Sequence, residues 1–295
     1  MSLSIGVVAF ALTSAILWGL SPTFAKKGFE RGGTSVQAAM VAILATWTFS
    51  VVVLAVTRGT TVFQGFSPVD VGIFLVGGVV GTTLGRLSKF AGIRRVGASV
   101  STAVANTRPL FATVLAVAVL DESVTLVTAA GVVLLVAGVV VVSLAKGGDR
   151  RGWRTAELAF PVAAALAYGT GNVIRRFGFL ETPAVAIEAL ALNETAALFT
   201  LGTYLFVYRR ERIRAANPRA ILYFALGGTI SAVALFSLFQ ALSLGRVSIA
   251  DPISGMAPLF STLFAYLLLR DVELVTRGVV AGAALIVIGG SLVTL

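Results

Sequence analysis

The sequence of 295 residues has no cysteine and no histidine, and only 12% of it is charged. Without cysteine there is no disulfide framework, thiol nucleophile or cysteine metal site. Without histidine the commonest metal ligand and the usual acid–base group near neutral pH are missing, and with them Ser–His–Asp and Cys–His catalysis. No P-loop spacing occurs, and the acids form no metal-binding cluster. An enzyme is therefore not expected, nor is a cofactor or a metal. The charged share is about half that of a soluble domain. What is abundant is hydrophobic residues, at 57%. A soluble globule of this composition would expose large apolar patches, so the chain reads as an integral membrane protein whose first partner is the lipid bilayer. The net charge of +10 fits cytoplasmic loops facing anionic lipid rather than a nucleic-acid surface.

Crossing the hydrocarbon core takes about 20 apolar residues in a helix. Ten stretches qualify: Ser4–Phe24, Ser35–Val56, Val69–Phe90, Ala98–Leu120, Val124–Ala145, Glu157–Phe177, Ala184–Tyr208, Ala220–Leu242, Ser248–Leu269 and Val275–Leu295. They are too long and too uniformly apolar for the alternating strands of a barrel, so the expected class is all-α. The first stretch lacks a basic leader and exceeds a signal-peptide core, so it reads as a retained helix. The longest loops, Thr57–Pro68, Lys146–Arg154 and Arg209–Arg219, are too short for a soluble domain. The run Arg209-Arg210-Glu211-Arg212 reads as a solvated loop.

Basic residues divide unevenly between the two sets of loops. The loops after helices 1, 3, 5, 7 and 9, with adjoining helix ends, hold 18 of the 23 Lys and Arg, whereas the other loops hold four, Arg175 and Arg176 among them. By the positive-inside rule the odd-numbered loops are cytoplasmic and both termini lie outside, in a multi-pass protein of the cell membrane.

The chain also repeats itself. Shifted by about 150 residues, Phe10 falls on Phe160, Trp18-Gly19 on Tyr168-Gly169, Gly28-Phe29 on Gly178-Phe179, Phe74 on Phe224 and Gly77-Gly78 on Gly227-Gly228. With a shift of 149, Pro109-Leu110-Phe111 falls on Pro258-Leu259-Phe260 and Glu122 on Asp271. The expected halves are residues 1–147 and 152–295, with five helices each. An odd number of helices per copy makes the second copy enter the membrane from the opposite side. The result is two inverted repeats, the arrangement of alternating-access carriers with a midplane site between halves.

The aromatic-Gly pairs of helices 1 and 6, the Pro-Leu-Phe of helices 4 and 9, the acid that follows each, and Gly131…Gly138 and Gly282…Gly289 in the fifth helices form a pattern. It resembles the EamA-type ten-helix carriers of the drug/metabolite transporter superfamily, over about residues 8 to 292. The resemblance implies a central cavity lined by helices 1, 3, 4, 6, 8 and 9, with the fifth helices peripheral. Members are often described with cytoplasmic termini, against the charge reading above.

Several residues are candidates for the site. Arg108 lies about ten residues from either end of helix 4, ~15 Å deep. Insertion of a charge there costs at least ~2.5–3.5 kcal/mol, so it should face the interior and hold a partner or an anionic ligand. Pro109 leaves the Ala105 carbonyl free. Glu194, at similar depth in helix 7, either pairs with Arg108, binds a substrate amine or carries a coupling proton; Glu188 lies on a different face, nearer the helix end. Arg86 and Lys89 share a face of helix 3 with Thr82, with Arg86 deep enough to join a basic vestibule and Lys89 placed to snorkel. Ser14, Trp18 and Ser21 share a face of helix 1, and Tyr168 and Asn172 the related face of helix 6. Asn106 should point away from Arg108, toward the side of Thr102, because two helical residues turn about 200°. Gly81…Gly85 and Gly278…Gly282 read as helix-packing patterns. Asp121-Glu122 and Asp271 with Glu273 read as interfacial.

Together these features predict a secondary transporter of small polar metabolites, amino-acid-like or organic-acid-like, working by alternating access. Arg108 would anchor an anionic group, and Trp18, Ser21, Tyr168, Asn172, Arg86 and Asn106 would shape the pocket. Glu194 would balance charge or carry a proton. A carrier of phosphorylated metabolites or sugars, and a passive channel or scramblase, are the alternatives.

Overall fold

A computed structural model describes residues 5–96, 101, 104–145, 154–208, 217–268 and 277–293. The readings at Ser4, Thr102, Arg209-Arg210-Glu211-Arg212, Asp271 and Glu273 lie outside them. The described residues form helices: α1 (Ile5–Glu30), α2 (Ser35–Arg58), α3 (Pro68–Val96), α4 (Arg108–Leu120), α5 (Leu126–Leu144), α6 (Ala159–Glu181), α7 (Ala186–Tyr208), α8 (Pro218–Leu244), α9 in two pieces (Val247–Ser254 and Ala257–Leu268) and α10 (Arg277–Val293). By length and composition α1, α2, α3, α7 and α8 can each cross a bilayer. Their outward faces carry exposed Val69, Phe199 and Phe206, the side chains a hydrocarbon core would cover.

The helix starts are written locally. Thr34 caps α2 in a reciprocal box with Gln37, and Ser67 caps α3 with Asp70 while Pro68 takes the first turn. Thr125 caps α5, and Asn217 caps α8 ahead of Pro218. In each case a side-chain oxygen satisfies an amide the helix leaves free.

The two halves pack as an inverted pair, and the aligned residues do the packing. Gly19 of α1 leaves no room for a Cβ against Phe260 of α9, while Gly169 of α6 lies against Phe111 and Ala112 of α4. Gly28 abuts the Phe224 ring and Gly178 the Phe74 ring. Ser21 and Ser231 hydrogen-bond at 2.7 Å, where their repeat equivalents Gly171 and Gly81 bring backbones together. The outermost contact joins the fifth helices: Gly138 meets α10 at Gly282 and Ile286, and Gly289 meets α5 at Gly131 and Leu135.

Two helices break where the sequence reads as continuous. Helix 4 is interrupted by a turn at Asn106-Thr107, directly before Arg108-Pro109, and α9 is interrupted at the equivalent Gly255-Met256, before Ala257-Pro258. Proline at the first turn of the second piece lacks the amide that would bond into the turn before it. Broken helices at matching positions of inverted halves are a carrier feature. Helix α3 also winds into a π-helix over Gly78–Leu84, where Gly78 presses on the Asn193 backbone so closely that a Cβ could not fit. Insertions of this kind gather at functional sites.

Candidate functional site

The broken segments of helices 4 and 9 meet at the interface between the halves, next to a cavity of about 690 Å³, counting the space open at its mouth. Its wall includes Trp18, Ser21, Arg86, Lys89, Asn106, Arg108, Tyr168 and Ser231, with Ala25, Ala42 and Ala257 as small residues between them. Three of the lining residues are cations and none is an acid. The wall is drawn from the C-terminal halves of α1 and α3, so the cavity lies toward the helix ends bearing Lys26, Lys27, Arg94 and Arg95, and Arg31 just beyond α1.

Asn106 thus shares the cavity with Arg108 and does not point away from it, because the chain turns between them and the helical 100° per residue does not apply. Lys89 also faces the cavity, since α3 packs against α2 and α6 with that face inward rather than toward headgroups.

Behind the wall runs one connected polar network. Arg108 donates from Nε to Asp251 Oδ1 at 2.8 Å and from Nη2 to Ser254 Oγ at 2.9 Å, and its guanidinium lies 4.7 Å from the Trp18 ring centroid. Ser254 Oγ donates to Ser14 Oγ. Asn172 donates to the same Asp251 oxygen at 2.8 Å and accepts from Arg175 Nη1 at 2.7 Å. Arg175 also donates to Asn193 Oδ1 and Thr82 Oγ1 and lies over the Phe239 ring. Thr82 and Asn193 donate to Glu194 Oε1, and Arg86 donates to Glu194 Oε2 at 3.1 Å and to Thr46 Oγ1 at 3.2 Å. The ion pairs Arg108–Asp251, Arg86–Glu194 and Arg58–Glu188 each tie one half to the other. Charges this deep persist because partners replace the water they have lost.

Of the residues singled out from sequence, Trp18, Ser21, Arg86, Asn106, Arg108 and Tyr168 line the cavity. Asn172 and Glu194 sit behind it in the network. Glu194 pairs with Arg86, not Arg108. Glu188 is buried, where it accepts from Arg58 and from the backbone of Phe63 and Val185. Glu122 lies at a helix end, as expected, and is buried there within the protein: its carboxylate accepts from the Val247 and Ser248 amides and so caps α9.

Sequence reasoning missed two members. Arg175, counted by charge with the basic residues at the end of helix 6, is 2% exposed, inside α6. Asp251 lay unremarked inside the ninth apolar stretch, although a carboxylate one turn into a span, just before a proline, was a usable signal. Repeat alignment could have found Arg175. It and Asn193 occupy the positions that Ala25 and Ala42 hold in the other half, at shifts of 150 and 151. The small residues leave the cavity open on one side of the midplane, and their long polar counterparts fill the other.

Comparison with known proteins agrees with this architecture. Residues 5–144 and 155–295 each match the sequence model of the EamA-like transporter family. An uncharacterized transporter of Clostridium kluyveri is 25% identical over 134 residues, which is 45% of this chain and 42% of that protein, so the match spans less than half of the relative's length. One protein crystal structure superposes with a TM-score of 0.76 over 98% of both chains at 19% identity, a likeness of fold alone.

Proposed function

Because this multi-pass membrane chain belongs to the EamA-like transporter family, we propose that it is a secondary carrier of small organic anions, working by alternating access between its inverted halves. The observation that carries the reading is the cavity wall: Arg86, Lys89 and Arg108 with no acid among them, flanked by Trp18 and Tyr168. A guanidinium can hold a carboxylate or phosphate by two parallel hydrogen bonds, and aromatic faces with a few polar groups give a metabolite its orientation. Arg108 is the anchor, Asn106, Ser21 and Ser231 orient the bound molecule, and the two aromatic rings enclose its carbon skeleton. Organic acids and acidic amino acids are the first choice of cargo. Phosphorylated metabolites are the second, favoured by the gathering of three cations on one wall. The basic loops on the side of the cavity argue for a cell-membrane protein captured open to the cytoplasm.

The test is uptake into proteoliposomes from a panel of labelled glutamate, lactate, succinate and sugar phosphates, with glucose as a neutral sugar. A carrier saturates and shows counterflow, whereas a channel shows conductance without either. Arg108→Lys should fold and lose at least about tenfold in apparent affinity, since a point charge cannot replace a bidentate fork. Equal transport of a neutral sugar, or unchanged affinity in Arg108→Lys, would refute the anion reading.

A further inference from the structure

Arg108 faces two environments. Its guanidinium lines the cavity, and its Nε is committed to Asp251 Oδ1 at 2.8 Å. Asp251 is fully buried; Oδ1 accepts a second hydrogen bond from Asn172, but Oδ2 has no hydrogen-bond partner among the described residues. Glu194 differs, because both of its oxygens accept hydrogen bonds, from Thr82, Asn193 and Arg86. A buried carboxylate with one satisfied and one unsatisfied oxygen is a vacancy for a proton.

We propose that Asp251 is a proton-binding site, coupled through Arg108 to the anion in the cavity, so that anion and proton are bound together. The inference rests on the anion reading above and adds the co-transported ion. With the cavity empty, Arg108 and Asp251 form a neutral pair. An anion on the remaining N–H groups of Arg108 leaves the three groups with one net negative charge in a water-poor interior. A proton on Asp251 Oδ2 restores neutrality while Oδ1 keeps its bonds. Linkage then requires each ligand to tighten the other by the same factor. The ionised groups nearest Asp251 are Arg108 from α4 and Arg175, which reaches it through Asn172 of α6. From α1 the Ser14 hydroxyl reaches Arg108 through Ser254 and carries no charge. The carboxylate of Glu122 lies one turn away at the start of α9, held by two amides. Helix α5 carries no ionisable residue; α8 and α10 carry theirs, Arg219, Tyr223 and Arg277, in their first two turns. Asp251 sits on the filled side of the midplane with Asn172 and Arg175, so an exchange of open and filled sides would present it to the opposite compartment.

Calorimetry on the purified full chain tests this with glutamate, lactate and sulfate, in buffers of equal pH and different ionisation heat. Wild-type protein should take up close to one proton per anion bound, with affinity falling about tenfold per pH unit above the titration point. Asp251→Asn should bind without proton uptake and without that pH slope, while Glu188→Gln, at a buried carboxylate outside the cavity network, should keep both. Anion binding by wild type with no proton uptake overturns the coupling and leaves the anion reading standing, and so does uptake kept in Asp251→Asn. Failure of all three anions to bind wild type overturns both. If Asp251→Asn does not fold, Asp251→Glu decides the matter: proton uptake should persist with a displaced pH midpoint, and an unmoved midpoint overturns the proposal.

Discussion

Arg108 and Asp251, 143 residues apart in the chain, hydrogen-bond at 2.8 Å across the junction of the two repeats. Each starts from a broken helix: Arg108 opens the second piece of helix 4, and Asp251 lies in the first piece of α9. Removing one partner strands a buried charge, which costs about 3–5 kcal/mol in proteins. Arg108→Met alone should therefore lower the melting temperature in detergent strongly. The double variant Arg108→Met/Asp251→Asn should recover most of that loss, because no charge is left unpaired, while transport stays absent. A double variant no more stable than Arg108→Met would show that the pair does not hold the halves together.

Glu122 carries a second cross-half contact. Its carboxylate accepts from the Val247 amide at 2.9 Å, the Ser248 amide at 3.0 Å and the Ser248 hydroxyl at 2.7 Å. Loss of a charged cap leaves two amides open at a buried helix start, a cost of about 1.5–3 kcal/mol. Glu122→Ala should show this as a lower thermal midpoint, and Glu122→Gln should be intermediate. Equal midpoints for wild type and Glu122→Ala would refute the capping role.

The two equivalent glycines should tolerate a methyl group unequally. A Cβ at Gly19 would overlap Phe260 Cβ, whereas at Gly169 the nearest atom is the Ala112 nitrogen at 3.0 Å. Overpacking costs about 1–3 kcal/mol, so Gly19→Ala should sit toward the upper end and Gly169→Ala toward the lower. The ratio of folded protein recovered by size-exclusion chromatography reads the difference, and the reverse order would contradict the packing described.

The orientation expected from the basic loops can be tested without background, since the sequence has no cysteine of its own. Both test positions, Glu30 at the end of α1 and Gln64 after α2, are exposed. A thiol placed as Glu30→Cys should react with an impermeant maleimide only after lysis, and Gln64→Cys should react in intact cells. The opposite pattern would put the termini in the cytoplasm.

The amino-acid sequence by itself determined the membrane class, the two inverted fives and most of the cavity wall. Hydropathy is additive along a segment, and Gly, Pro and aromatic spacing survives duplication in register. Arg108 stood out for the same reason: a lone charge ten residues from either end of an apolar run has no local explanation. Only the tertiary structure decided who pairs with whom. Arg108 takes Asp251 and Arg86 takes Glu194, because partners 108 and 143 residues apart are set by how the halves interlock, which no local pattern encodes. It also decided that Asn106 shares a wall with Arg108, because a break in the helix cancels the periodicity on which facing arguments rest. The filled side was hidden likewise. Arg175 beside Arg176 reads as a basic loop end until α6 is seen to run on to Glu181, carrying Arg175 into the interior where Ala25 stands in the other half.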